Sequence, residues 1–260
     1  MGGRPAAGGG RWVEVDPERL PRWLAGFAER HGEYTVTADP DLTSGPGSPS
    51  GSGSRSGPES ESGPGLRSGR ELESGAELAS GPGSRSGPEL RAADGTVAEC
   101  QAPPGVPDVA DLDGFVAAVV VPRRLGLLLA RRGGVAVGIA VGADLEVSKV
   151  DSRYVQGRTA AGGWSQQRFA RRRDNQARAA AADAADVAVR LLLPAVGGLA
   201  AVVTGGDRRA VDAVLADARL APVAALRADR FLTVAEPRLA TLTAAVQQAR
   251  TVRIRLIEPP

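Results

Sequence analysis

The chain has 260 residues, of which about fifty are rich in Gly, Ser and Pro and cannot join a hydrophobic core, leaving room for one sizeable domain and one small one. The 32 basic residues nearly balance the 30 acidic ones, and Lys149 is the only lysine, so affinity for nucleic acid requires local clusters of arginine. Cys100 and His31 are each the only residue of their type, which excludes an intrachain disulfide and a thiolate-based metal site and leaves zinc catalysis without ligands.

The N-terminal residues 1–10 read MGGRPAAGGG and are expected to be disordered. They contain no apolar segment of the kind a signal peptide needs, and no window of the chain approaches the length of a membrane span. The sequence therefore predicts a soluble, cytoplasmic protein.

A small α/β unit is predicted over residues 11–106. Leu20, Trp23, Leu24, Phe27 and Ala28 follow helical spacing, and residues 34–37 alternate like a strand. Residues 43–92 interrupt the unit, with SGPG repeated three times, and are predicted to be a disordered insertion. The simplest arrangement makes this insertion a hairpin loop between residues 34–37 and a strand at 96–100, preceded by an Asp94-Gly95 turn.

A second unit is predicted over residues 107–260. Its pattern indicates a helix, three successive strands, a loop from Tyr154 to Trp164, and a long helix rich in Ala and Arg from Ser165 to about Leu193, before Pro194. Strands and helices alternate after that, and the last strand is VRIRLI. The predicted fold class is α/β (α+β), a mixed sheet flanked by helices.

The stretch from Lys149 to Arg178 is strongly basic. Eight cationic side chains stand against Asp151 and Asp174, a local net charge of +6. A basic helix alone is usually a solvated surface, but this one follows a polar loop. The eight cationic residues are Lys149, Arg153, Arg158, Arg168, Arg171, Arg172, Arg173 and Arg178.

The loop combines backbone freedom with polar groups. Gly162 and Gly163 let the backbone approach another molecule closely. Gln166 and Gln167 carry amides that both donate and accept, so that either can orient a water without changing charge. An ordinary glycine turn into a helix capped by Ser165 would explain the two glycines and the serine alone.

The segment GGWSQQRFARRRDNQ resembles the catalytic loop of the class I release factors of archaea and eukaryotes, in which GGQ precedes an Arg-Phe pair and a basic helix. It is closer still to the Vms-type peptidyl-tRNA hydrolases, specifically their actinobacterial branch. The resemblance is specific in sequence from about Lys149 to Gln176. In the order of the predicted elements it extends over residues 11–257, apart from the insertion. It implies that 107–260 is a release-factor-like catalytic domain acting on peptidyl-tRNA in a stalled large ribosomal subunit.

The resemblance also implies residue roles. Trp164 stands where the release-factor motif has its catalytic glutamine, so the water-positioning role passes to Gln166 first and Gln167 second. The expected catalytic set is Gly162, Gly163, Ser165, Gln166 and Gln167. The eight cationic residues above would bind rRNA and tRNA phosphates, with Trp164 stacking on a base or buried as a structural residue. No cofactor or metal is expected, the partners are the large ribosomal subunit, rRNA and peptidyl-tRNA, and the protein is expected to be a monomer.

Two other functions are compatible with the same residues. A non-catalytic ribosome or RNA binder could use the same arginine-rich helix, and a structural protein could act through the Gly/Ser-rich arm. Deletion of residues 44–90 is expected to leave the function of the protein almost unchanged, which argues against a structural protein that acts through the arm. Gly205-Gly206-Asp207 is predicted to be a strand-to-helix turn with an Asp cap, since it lacks the Gly-Lys-Ser/Thr of a phosphate-binding loop. Asp144, Glu146 and Asp186 show no grouping of the kind a metal-dependent nuclease needs.

Overall fold

The computed structural model describes residues 4–6, 9–37, 86–109, 111–131, 134–152 and 165–259, with backbone only for Arg4, Ser86, Ser152 and 165–174. Within these ranges the strands form two sheets. In chain order the elements are β1 (Arg4–Pro5), β2 (Arg11–Val15), α1 (Leu20–His31), β3 (Tyr34–Thr37), β4 (Ser86–Ala92), β5 (Val97–Gln101), α2 (Leu112–Val120), β6 (Arg124–Arg131), β7 (Gly134–Val141), β8 (Asp144–Ser152), α3 (Ser165–Leu192), β9 (Ala201–Gly206), α4 (Arg208–Leu215), α5 (Ala221–Ala224), β10 (Arg227–Leu232), α6 (Leu239–Arg250) and β11 (Val252–Ile257).

The first sheet is antiparallel, with strand order β1-β2-β11-β5-β4-β3. Alternate residues of β11, Val252, Ile254 and Leu256, are buried against one face, as the two-residue period of a strand requires. The helices α1 and α2 cover that face and contribute Phe27 and Phe115 to the same core. The helix predicted from the spacing of residues 20–28 is confirmed as α1, and the predicted strand of residues 34–37 is confirmed as β3. Residues 1–10 were expected to be disordered, but Arg4–Pro5 form β1 and pair with β2.

Strand β4 corrects the predicted end of the insertion. Residues 86–92 were assigned to the disordered stretch, but they pair with β3 on one side and β5 on the other. The Asp94-Gly95 turn therefore joins β4 to β5, with Asp94 Oδ1 accepting from the Thr96 N–H at 2.8 Å and Gly95 at a φ of 87°. The prediction failed at this end because β4 has few apolar residues, and Leu90 is buried only when the folded sheet places it in the same core as Phe27 and Phe115.

Strand β11 lies between β2 and β5 and is antiparallel to both. Val252 of β11 is opposite Val15 of β2, and Arg253 of β11 is opposite Gln101 of β5. The sequence predicts this strand correctly but places it in the second unit. The C-terminal strand thus belongs to the same sheet as the N-terminal strands. The division into units at residues 11–106 and 107–260 stays a prediction.

The second sheet has the order β10-β9-β6-β7-β8, with β10, β9 and β6 parallel and β6, β7 and β8 antiparallel. It is flanked by α3, α4 and α5 on one face and by α6 on the other. The apolar run of β6 follows from this arrangement, because its side chains are buried on both faces. The predicted α/β class, with a mixed sheet flanked by helices, is confirmed.

The turn from β9 into α4 is the predicted strand-to-helix turn. Asp207 Oδ1 accepts from the N–H groups of Arg209 at 2.9 Å and Ala210 at 3.2 Å, which caps α4. Gly206 has a φ of 104°, and a Cβ on it would collide with the Ala130 carbonyl. Close strand packing therefore explains the glycine without a bound phosphate.

Candidate nucleic-acid interface

Helix α3 is the element that carries most of the predicted site, and its C-terminal part is anchored in the core of the second sheet. The helix has 28 residues, a length of about 42 Å. Ala184, Ala188 and Leu192 are buried, and a Cβ built on Gly126 would lie 3.3 Å from Leu192 Cδ2. The end of α3 therefore lies over the start of β6.

Nearer its N-terminus, α3 has one turn, Asn175–Ala179, that is free of the domain, and this turn is the free part of α3. The five consecutive residues from Asn175 to Ala179 are all exposed, and five residues cover more than one full turn. Every side of the helix therefore faces solvent at this level, and packing begins only at Ala180. Ser165, where the helix begins, lies ten residues or about 15 Å further along the axis.

The free part of α3 leaves the sheet at one identifiable end. The packed part, from Ala180 to Leu192, is about 18 Å long, and β6 from Gly126 to Arg131 is about 17 Å long. The helix ends over Gly126 and also packs against β7 and β8, so that it crosses the sheet toward the boundary marked by the pair Arg131 and Gly134. Strand β8 ends at the same boundary, because Ser152 pairs with Gly134 and Gly134 pairs with Arg131. The segment that contains the predicted loop connects Ser152 with Ser165.

The predicted site residues fall into three groups. Lys149 on β8 and Arg178 on α3 both have described side chains, and both are exposed. A second group lies in the first turns of α3, where the backbone is described: Ser165, Gln166, Gln167, Arg168, Arg171, Arg172 and Arg173. A third group lies outside the described residues: Arg153, Arg158, Gly162, Gly163 and Trp164.

Two exposed arginines outside the predicted set lie at the same sheet end. Arg131 ends β6, and its Nη1 donates to the Val234 carbonyl at 3.2 Å. Arg208 begins α4, and its guanidinium lies over the Phe231 ring at 4.4 Å from the centroid. Neither arginine was predicted from the sequence, because both are far from the loop in the chain. The signal that could have found them is that β6 and β9 are parallel, so that the residues after each strand meet at one edge.

The remaining candidates for chemistry lie elsewhere. His31 Nδ1 is 2.8 Å from Asp94 Oδ2, and burial raises the pKa of Cys100 to about 12, so that this thiol is protonated at neutral pH. Glu146 pairs with Arg124 at 2.9 Å, and Asp186 pairs with Arg219 at 2.7 Å. Across the described ranges, no group of three or more His, Cys, Asp or Glu residues is placed to hold a metal ion.

No helix in the described part of the chain combines the length and apolar character that crossing a membrane requires.

Solved structures provide distant similarities. The crystal structure of the archaeal translation termination factor aRF1 aligns with a TM-score of 0.36 and 20% identity, over 60% of this chain and 47% of that chain. A second structure, described as an archaeal protein, aligns with a TM-score of 0.35 and 20% identity, over 60% of this chain and 50% of that chain. The chain therefore spans about half the length of each of these proteins. No curated protein matches the chain.

The family comparison covers the part of the chain that contains the second sheet. Residues 123–255 match the family described as the Actinobacteria/chloroflexi VLRF1 release factor, over about half of the chain. The matched range begins just before β6 and ends within β11, so that it includes all of α3. The chain belongs to the VLRF1 release factor family.

Proposed function

We propose that this release factor is a peptidyl-tRNA hydrolase of the Vms type, in the actinobacterial branch, that acts in ribosome rescue and quality control. Its substrate would be the ester between a nascent peptide and its tRNA on a stalled large ribosomal subunit. The observation that carries the proposal is the free part of α3, Asn175–Ala179, which is exposed on all sides. The helix backbone extends about 22 Å from Ala180 back to Ser165, and Gly162 and Gly163 come just before Ser165 in the sequence.

The proposed reaction depends on the positioning of the attacking water more than on a strongly acidic or basic side chain. A water oxygen attacks the ester carbonyl carbon, the bond from that carbon to the ribose oxygen breaks, and the ribose oxygen takes up a proton. The products are a peptide carboxylic acid and a tRNA with a free hydroxyl. The side-chain amide of Gln166 or Gln167 holds the water, and Gly162 and Gly163 let the backbone come close to the ester. No cofactor is required, and ribosomal RNA would supply most of the stabilisation of the developing oxyanion.

Cationic groups on α3 and on the second sheet would bind the phosphates of rRNA and tRNA. Lys149 on β8 and Arg178 on α3 are exposed, as are Arg131 at the end of β6 and Arg208 at the start of α4. Phosphate contacts of this kind give an affinity that falls steeply with salt. Trp164 would stack on a base or ribose.

A non-catalytic ribosome binder is the second candidate, and Trp164 favours it, because this residue replaces the glutamine of the release-factor motif. On this alternative the arginines dock the protein and the loop is a recognition tip. It predicts salt-sensitive binding to large subunits without peptide release.

Peptide release from stalled large-subunit complexes tests the enzyme directly. We expect Gln166→Ala and Gln167→Ala together to slow release by about a hundredfold, because misplacing a reacting group by about 1 Å has an effect of that size. The matched control is Gln176→Ala, since Gln176 is an exposed glutamine on the same free part of α3. It should release peptide at the parent rate.

Two results would contradict the proposal in different ways. A double variant that releases peptide as fast as the parent would exclude both glutamines as the water-positioning residues. A parent protein that binds the stalled subunit and releases nothing would reject the hydrolase and leave the binder as the function.

A further inference from the structure

A cavity of about 350 Å³ lies where the two sheets meet, away from the free part of α3. Its walls come from the loop after β5 at 102–105, the start of β9, the segment 225–230 at β10, and Arg253 on β11. This volume is within the range of small-molecule sites in proteins. The loop at Gly105 packs closely against the start of β9, because a Cβ on Gly105, whose φ is 79°, would lie 2.8 Å from Ala200 Cβ. This wall of the cavity is therefore fixed by packing between the two sheets.

The ionisable side chains that line the cavity are mostly cationic: Arg227, Arg230 and Arg253 stand against Asp229. Of the arginines, Arg227 pairs with a carboxylate outside the lining, with its Nη1 2.7 Å from Asp212 Oδ1. A guanidinium with an uncommitted edge is the group that binds phosphate best, because its fork of donors matches two phosphate oxygens.

The guanidinium of Arg230 is held by backbone carbonyl groups. Its Nη1 donates to the carbonyl oxygens of Gln248, Ala249 and Thr251, at 3.4, 3.0 and 2.7 Å, at the C-terminal end of α6. These contacts orient the guanidinium, since the carbonyls at a helix end attract a cation. They do not neutralise its charge.

Arg253 has a donor that its surroundings leave unused. Its guanidinium lies over the Trp12 ring at 4.5 Å from the centroid. Its Nε is buried, and no acceptor for it is present among the described residues. A buried donor without an acceptor is unfavourable, so that an anion that accepted a hydrogen bond from it would be stabilised.

The two arginines also repel each other. Burial, and then the charge of Arg253, lower the pKa of Arg230 to about 10, an effect that Glu14 partly opposes. Glu14 is the cross-strand partner of Arg253 and does not line the cavity. Since Glu14 lies outside the cavity, an anion inside the cavity would add a second negative charge near the two arginines and reduce their repulsion.

We propose that this cavity binds a phosphate group, carried either by a free nucleotide or by RNA, with Arg253 and Arg230 as its principal contacts. The site is separate from the proposed hydrolytic loop. It can therefore be tested on the full-length protein without ribosomes, and its failure would leave the proposed function untouched.

The test is the shift in thermal unfolding temperature with inorganic phosphate, at an ionic strength held constant with chloride. A ligand that binds only the folded state raises this temperature as its concentration increases. We expect Arg253→Met, which keeps the packing on Trp12, to weaken phosphate binding about tenfold, the effect of losing one charge-assisted hydrogen bond. Arg227→Gln gives a second reading of the same site should Arg253→Met fail to fold.

The matched control is Arg255→Met. Arg255 is two residues along the same strand and on the same face, pairs with Glu99 at 3.2 Å, and does not line the cavity. It should bind phosphate like the parent. The proposal is wrong if phosphate gives the parent no more stability than chloride does, or if Arg255→Met weakens binding as much as Arg253→Met.

The source of the phosphate is distinguished by two further probes, adenosine monophosphate and a short RNA with or without a 5′-phosphate. Tighter binding of the mononucleotide than of inorganic phosphate identifies a free nucleotide as the ligand. A preference for the 5′-phosphorylated RNA over its unphosphorylated twin identifies an RNA end. In both cases the preference should be lost in Arg253→Met, and a preference that persists in this variant would overturn the site.

Discussion

Single residues at the boundary of the second sheet show how closely its strands are packed. Gly205 and Gly206 end β9, and a Cβ on Gly205 would lie 2.8 Å from the Leu232 carbonyl oxygen. Gly206 also has a φ of 104°, which other residues adopt at a cost. The turn directs α4 so that Arg208 lies over Phe231, beside the end of β6. Glycine is thus required here by packing, and it also places one of the exposed arginines.

Replacement of Gly206 by Ala should therefore destabilise the protein. We expect a loss of about 2 kcal/mol in the free energy of unfolding, from backbone strain and the collision with Ala130. Gly197→Ala is the control, because a Cβ there would meet no atom within 4 Å. Urea unfolding measures both variants. Equal losses in the two would show that strain at Gly206 is not the cause.

Among the elements, α3 combines two roles along one helix. Its C-terminal half is apolar enough to fill the core with small residues such as Ala184 and Ala188, both buried. Its N-terminal half has more charge and no packing partner at Asn175–Ala179. A helix built in this way can carry a loop away from the domain while the anchored half keeps its direction constant.

Cations near the free part of α3 should determine the salt dependence of binding to large ribosomal subunits, if the proposed function is right. We expect Lys149→Ala and Arg178→Ala each to reduce the slope of log affinity against log salt by about 1, the effect of one lost phosphate contact. The measurement is equilibrium binding at a series of salt concentrations. Arg22→Ala, which removes an exposed arginine from α1, should leave the slope unchanged. Similar effects from all three would mean that only net charge matters.

At the scale of the whole molecule, the chain returns at its C-terminus to the sheet in which it began. β11 separates β2 from β5, and Arg250 at the end of α6 pairs with Glu18 next to α1. Arg230 on β10 is bound to the same end of α6. These contacts join the two sheets, and Arg230 also lines the cavity between them.

The pairing of β4 changes which part of the Gly/Ser-rich stretch is dispensable. Deletion of residues 44–84 should change the free energy of unfolding by no more than about 1 kcal/mol, since loop length acts only logarithmically. Deletion of 44–90 removes most of β4, including the buried Leu90, and should cost at least about 3 kcal/mol. Urea unfolding of the two variants tests this. A 44–90 deletion as stable as the parent would mean that β4 contributes little to the sheet.

Local patterns were sufficient for the elements whose partners are near in the chain. The β6, β7 and β8 strands are successive and antiparallel, and short turns decide their pairing, so that all three were predicted in the right order. The long helix was predicted almost to the residue, because its Ala-rich composition and Pro194 define it. The predicted loop itself stays a prediction, since Gly162, Gly163 and Trp164 lie outside the described residues.

The sequence by itself determined the α/β class, most of the helices and strands, and the basic segment with its glutamines, because these are recorded in short-range periodicity and composition. It did not predict β1, β2, β4 or the short helix α5. Only the tertiary structure decided that β11 joins the first sheet, that residues 86–92 form a strand, and that Arg253 and Arg230 share a cavity. Those features depend on pairs of residues far apart in the chain, and hydrophobic periodicity defines which face of a strand is buried but not which strand lies beside it.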